Sequence, residues 1–485
     1  MFTTGENSEI ASVDHGGEFM FTRCSSAMVF AVLIILFCTR PLLAMDSSEA
    51  AFNSLLYQVQ FVRLIKPSKQ IEQDYRALTL GPMKLKQARV ERIKSELQQF
   101  WASLGIPTNA MNMKSSENLF QQVISLEPLS KDYLATSNKI RYLLWLDQKG
   151  DWSELASNSW LKLGDKHSLV PEISRRLKGL GDLREYNPVS ILFDANVKNG
   201  VRLFQQRHGL KLDGIIGPET LRWINIKPVK RAELLAINFI NKTRYLASIE
   251  PSFLIINIPA FELELIDNGQ VALQSRVIVG KPYRQTPLLS SRISNLVINP
   301  SWRVPRRLLT RDLLPKVRED GGYIQDRNFN VFDRQGEMVS KTAQEWQDLA
   351  HGHFPYRLVQ KPGEGNTLGR YKFYFENKYS VYLHDTADKE LFEESNRALS
   401  SGCIRIENVE GLANWMASNL VTDKQTWVDM QTERQKTQWF SLDQSLPVHL
   451  VYWTAWVDKW GAAQFRNDIY HRNSTLNLAS ARASP

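Results

Sequence analysis

The sequence predicts a multidomain α+β chain: a helical scaffold, a small three-helix unit, and an antiparallel, β-sandwich-like domain interrupted by a long insertion. Three observations predict it. From about residue 46 to residue 250, apolar positions recur mostly at helical spacing. Near Pro251 the period changes to alternation, with turn signals at mostly hairpin-length intervals. A chain of 485 residues with 43% hydrophobic content supports about three packed domains.

The elements follow in order. Residues 1–44 read as a secretory signal. The apolar run "AMVFAVLIILFC" is shorter than the ~20 residues a spanning helix needs. Arg23 precedes it, and Pro41 and Ala44 follow, so the expected cut is after Ala44. The first nineteen residues hold acidic groups but no Lys or Arg, which makes Met20 an alternative start. An uncleaved inner-membrane anchor is the other outcome. Residues 45–164 are the scaffold: "KLKQARVERIKSELQQFWASLG" places Leu85, Val90, Ile93, Leu97 and Trp101 on one helical face. No catalytic constellation falls in it. Residues 165–228 form the three-helix unit, with Asp213-Gly214 and Gly217-Pro218 as turn punctuation and Pro218 suited to a first helical turn. Residues 229–250 return helically to the scaffold. In residues 251–473, strands are expected at Phe253–Ile258, Glu262–Ile266, Val271–Val279, Leu296–Ile298, Lys372–Glu376, Ser380–His384 and Trp439–Leu442 and in "PVHLVYWTAWVD", with a hairpin at Asp267-Asn268-Gly269. The insertion, about 303–368, is expected to act as a lid. Residues 474–485 are a tail.

Sixty basic against 51 acidic residues give a net charge of +9, which suits anionic partners such as wall polymers or lipid headgroups. No run of five or more basic residues appears, so nucleic acid is not a favoured partner. Three cysteines occur, Cys24, Cys38 and Cys403. Loss of the signal leaves Cys403 alone, and an unpaired thiol in an oxidising compartment implies burial or a chemical task. Its setting, "SSGCIR", argues for the task. In "YSVYLHDT", Val381 and Leu383 face one way and Tyr382 and His384 the other. Ile404 and Ile406 face a core, so Cys403 and Arg405 share the opposite face. A thiol of pKa ~8.5 needs a base or cation to ionise at neutral pH. His384 can be the base. Arg405 can lower the thiol pKa or hold a substrate carboxylate. Backbone N–H groups of Gly402 and Cys403, in the loop with Ser401, can receive an oxyanion. No cluster with metal-ligand spacing is present, and the His351–His353 pair reads as structural.

These residues carry a resemblance. "LHDT…SSGCIRIEN" resembles the L,D-transpeptidase motif, in which a His precedes a Ser/Thr-His-Gly-Cys element. The order of the segments resembles the large YcbB-type members of Gram-negative bacteria, whose catalytic domain is of the YkuD type. Ser401 stands where many members have His. Residues 165–228, best in "HGLKLDGIIGPETLRWI", resemble the three-helix peptidoglycan-binding domain. The resemblance implies a periplasmic enzyme in which Cys403 attacks the third residue of a tetrapeptide stem, releases D-Ala and forms a 3→3 cross-link. His384 would serve as base and then acid, and Trp302, Tyr371 and Tyr382 would be substrate contacts. It implies no metal or organic cofactor, carbapenems as inhibitors, and peptidoglycan stem peptides and glycan as partners. Hydrolysis by the same site, as an L,D-carboxypeptidase or endopeptidase, and a silent wall-binding scaffold are the alternatives.

Overall fold

The computed structural model of the protein describes residues 47–112, 118–157 and 159–473. The expected signal segment and the tail lie outside the described residues. No described helix is long and apolar enough to cross a membrane.

The helical body is built from α1 (Ser47–Ile65), α2 (Lys69–Leu80), α3 (Met83–Ser103), α4 (Leu119–Ile124) and α5 (Tyr133–Lys149). Local chemistry sets the ends. The Ser68 side chain accepts the Ile71 N–H at the start of α2, and Asn118 caps α4 through the Gln121 N–H. Val90, Ile93, Leu97 and Trp101 of α3 are buried as their spacing predicts, whereas Leu85, in the first turn, is exposed. They meet an aromatic cluster in which the Phe61 ring lies 5.6 Å from both Trp101 and Phe239.

The three-helix unit comprises α6 (Val170–Leu180), α7 (Ala195–Arg207) and α8 (Pro218–Asn225), followed by the return helix α9 (Pro228–Leu246). Its sequence signature is a turn held by one amide. The Gln205 side chain donates to Asp213 Oδ1 and to the Ile215 carbonyl, each at 2.9 Å, and accepts the Gly214 N–H at 2.9 Å. Gly214 sits at φ +70°, a conformation that glycine adopts without strain.

From Phe253 a nine-stranded sheet forms in the order β11-β3-β12-β10-β9-β4-β13-β1-β2. Its strands are β1 (Phe253–Asn257), β2 (Glu262–Asp267), β3 (Gln270–Gly280), β4 (Leu289–Ile298), β9 (Tyr371–Phe375), β10 (Leu383–His384), β11 (Ala398–Ser400), β12 (Ile404–Ile406) and β13 (Gln438–Val451). The first half of β3 pairs with β2 and its end pairs with β12, so the sheet folds over and closes on itself. The sheet is mixed rather than wholly antiparallel: β1–β13, β10–β12 and β11–β3 run parallel. Alternation reports which face a residue takes. It does not report the direction of a distant partner strand. The core beneath the sheet is closed by the helix Val409–Leu420.

The insertion builds a packed layer of its own. A small sheet, ordered β5 (Trp302–Arg303), β8 (Arg357–Gln360), β6 (Phe329–Phe332), β7 (Met338–Val339), encloses a separate core with Leu309, Val317, Trp346 and Leu358. Tyr382, from the strand edge of the main sheet, packs against that core.

The C-terminal hairpin, β14 (Ala455–Val457) and β15 (Ala463–Phe465), leaves the sheet and joins the core of the helical body. The His208 ring lies 3.9 Å from Phe204 and 5.4 Å from Phe465. His208 Nδ1 donates to the Phe204 carbonyl, and Nε2 accepts from the buried Arg231 guanidinium at 2.7 Å. The Trp223 indole donates to Asn467 at 2.7 Å. The three-helix unit is thus bolted to the end of the segment that carries the sheet.

Candidate active site

Three neighbouring strands make the floor. Phe373 of β9, Leu383 of β10 and Ile404 of β12 stand in register and point into the core. The next residues, Lys372, His384 and Arg405, form a parallel row on the opposite face, under the insertion. The Ile404 N–H donates to the Tyr382 carbonyl at 3.1 Å, which brings Cys403 beside Tyr382 on that same face. Tyr382 and His384 rings lie 5.5 Å apart. The parity read from the sequence therefore places Cys403, His384, Arg405 and Tyr382 together.

The turn before Cys403 is tightly determined. Gly402 has φ +118°, in the region that favours glycine. Its carbonyl accepts the Thr286 hydroxyl at 2.9 Å. Its N–H donates to Ser400 Oγ at 3.0 Å, and that hydroxyl donates to the Cys403 carbonyl at 2.6 Å. The Gly402 N–H is therefore engaged, which corrects its expected role as an oxyanion donor. The Cys403 N–H makes no hydrogen bond among the described residues and is the donor that remains. Ser401 is exposed, and its hydroxyl accepts from Arg284 at 2.7 Å. Arg284 in turn grips Asp312 of the insertion at 2.7 and 2.9 Å. Ser401 thus ties the site loop to the covering layer.

The electrostatics separate the candidates. His384 is 4% exposed, and its Nδ1 donates to the Asp385 carbonyl at 2.5 Å. Burial, then the charge of Arg405, depress its pKa to about 3, so the imidazole is neutral at physiological pH. Among the described residues no hydrogen bond joins it to Cys403. The half-buried Cys403 thiol is pushed up by burial, against the Tyr382 backbone, Lys372, the Tyr382 phenol and Arg405. The Tyr382 phenol faces the sulfur, and the Trp302 indole faces the phenol oxygen. Burial raises that phenol well above the ordinary range. Arg405 pairs with Asp388 at 3.1 Å and reaches Thr386 at 3.4 Å.

Of the expected substrate contacts, Trp302 and Tyr382 are at the site and Tyr371 is not. Tyr371 shares the inward parity of Phe373 and Phe375, is 2% exposed, and donates to Gln431 beneath the sheet. The site-facing residue of that strand is Lys372, which sequence reasoning missed. The pattern "YKFYF" held the signal, because three aromatic residues at period 2 leave the lysine on the other face. Arg284 and Asp312 were also missed, since their pairing spans the insertion and has no local signature.

Two family models match segments of the chain. Residues 251–430 match the family model of the "L,D-transpeptidase catalytic domain" (YkuD), and residues 166–224 match that of the "Putative peptidoglycan binding domain". The segment that matches the catalytic-domain model thus follows the one that matches the peptidoglycan-binding model. Its similarity to a "Putative L,D-transpeptidase" of Haemophilus influenzae is 37% identity over 228 residues, covering 46% of this chain and 45% of that protein. The chain thus matches less than half the length of this relative. A solved L,D-transpeptidase from Mycobacterium smegmatis is similar at 14% identity, covering 41% of this chain and 58% of that one, with a TM-score of 0.21. One from Stackebrandtia nassauensis is similar at 11% identity, covering 60% and 94%, with a TM-score of 0.24.

Proposed function

We propose that the protein is a periplasmic cysteine L,D-transpeptidase that forms 3→3 cross-links in peptidoglycan. One observation carries the reading: Cys403, the only described cysteine, shares one sheet face with His384, Arg405 and Tyr382 inside the segment that matches the catalytic-domain model. In this reading the Cys403 sulfur attacks the carbonyl of the third stem residue, meso-diaminopimelate. The C–N bond to D-Ala breaks, and a thioester forms. The thiol proton passes to neutral His384 and then to the departing amine, so D-Ala leaves uncharged at nitrogen before solvent protonates it. A neutral amine of a second stem attacks the thioester, its surplus proton passes to His384, and the sulfur leaves as thiolate, which that proton then restores to the thiol. The Cys403 N–H is the donor available to the oxyanion. Arg405 keeps guanidinium N–H groups beyond those used on Asp388 and Thr386 for a stem carboxylate. The three-helix unit would hold glycan strands, and β-lactams of the carbapenem class would acylate the same sulfur.

The test is product analysis. The purified protein is incubated with disaccharide-tetrapeptide and the products are weighed by mass spectrometry. Cross-linked dimers with loss of D-Ala support the reading. Tripeptide monomers alone would show that water is the acceptor. Unchanged substrate, in protein whose circular dichroism shows it folded, would leave the wall-binding scaffold as the function.

A further inference from the structure

Lys372 is a cation whose surroundings supply no ordinary anion. It stands in the outward row of β9, in register with His384, and one strand further on with Arg405. Its Nζ lies 4.2 Å from the centre of the Tyr382 ring and 5.9 Å from that of Trp439, which fixes the flexible stem against the site. Among the described residues no carboxylate is within ion-pair distance of it. Burial lowers its pKa, and the charge that opposes this is Cys403.

The other charged and titratable groups around the sulfur are committed. Arg405 is paired with Asp388. Arg284, beside Ser401, is paired with Asp312. Tyr382 stays protonated, and His384 is held neutral by its buried position. A thiolate formed here would have one mobile-charge partner without a prior anion, and that partner is the ammonium of β9. We propose that Lys372 is the counter-cation of the Cys403 thiolate, held on the site face by strand register and by the Tyr382 ring. The step is ionisation alone. The S–H bond breaks, its proton goes to solvent or to His384, and the ammonium keeps its three protons. Lys372 is a positioning residue for charge and forms no bond to substrate.

The inference rests on Cys403 being the reacting group and not on which acyl acceptor it serves. Its test therefore reads the thiol directly. The full chain is treated with iodoacetamide from pH 6 to 11, and alkylation of the peptide containing Cys403 is followed by mass spectrometry. Lys372→Met removes the charge and keeps the length of the stem, and Lys372→Gln is the second neutral variant should the first misfold by near-ultraviolet circular dichroism. An opposite charge within about 4–6 Å shifts a pKa by about one unit or more. Both neutral variants should thus move the alkylation midpoint up by about one pH unit and slow alkylation at pH 7 about tenfold. Lys372→Arg should recover most of the loss. Superimposed titrations of wild type and a folded neutral variant overturn the proposal, as does a shift that Arg leaves unrepaired. Failure of the cross-linking assay with a clear shift here would reject the functional reading alone.

Discussion

Protonation of His384 should cost the folded protein stability well above the pH at which the imidazole itself titrates. The unfolded chain binds a proton on this histidine near pH 6.5. The folded chain does so only near pH 3, because burial and the Arg405 charge oppose it. Between those values the unfolded state holds the extra proton, so stability falls as pH falls. The contribution is fully present above pH 6.5, declines by about 1.4 kcal/mol per unit below it, and levels off near pH 3. From pH 7 to pH 5 the loss is about 2 kcal/mol. Urea denaturation of wild type and His384→Gln at pH 8, 7, 6 and 5 isolates it, since groups shared by the two proteins cancel in the difference. The wild-type advantage over the variant should shrink by about 2 kcal/mol between pH 7 and 5. A difference independent of pH would refute the neutral, buried imidazole, and with it the separation of base from cation at the site.

Two further outcomes are expected. Gly402→Ala has space for its Cβ, whose nearest neighbours lie at 3.7 Å, so its effect isolates the φ of +118°. It should cost about 1–3 kcal/mol and slow acylation of Cys403, read by urea denaturation and by adduct mass. Phe465→Ala removes a 1%-exposed ring from the joint with His208 and Trp223. It should cost about 3–5 kcal/mol and open the hairpin β14–β15 to limited proteolysis, with the sheet core still protected from hydrogen exchange.

Much of this was legible in the sequence because it is local. Helical periodicity located α3, and the Gly and Asp spacing of 209–221 located a turn that proves to be one Gln205 amide network. Strand parity put His384 with Tyr382 and Cys403 with Arg405. The same rule, applied to "YKFYF", puts Lys372 rather than Tyr371 on the site face. What was not legible depends on partners far along the chain. The parallel pairing of β10 with β12, the Arg284–Asp312 contact across the insertion, and the departure of β14–β15 into the helical core are of this kind. So is the capture of the Gly402 N–H by Ser400, since a short motif does not show which hydroxyl turns toward it.

The most direct measurement is the mass of the acyl-enzyme. Wild type and Cys403→Ala are mixed with a carbapenem, and the intact proteins and their peptides are weighed. The account predicts one adduct on the wild type, located on Cys403, and none on a folded Cys403→Ala. An adduct on Cys403→Ala, or an unmodified wild type, would contradict it.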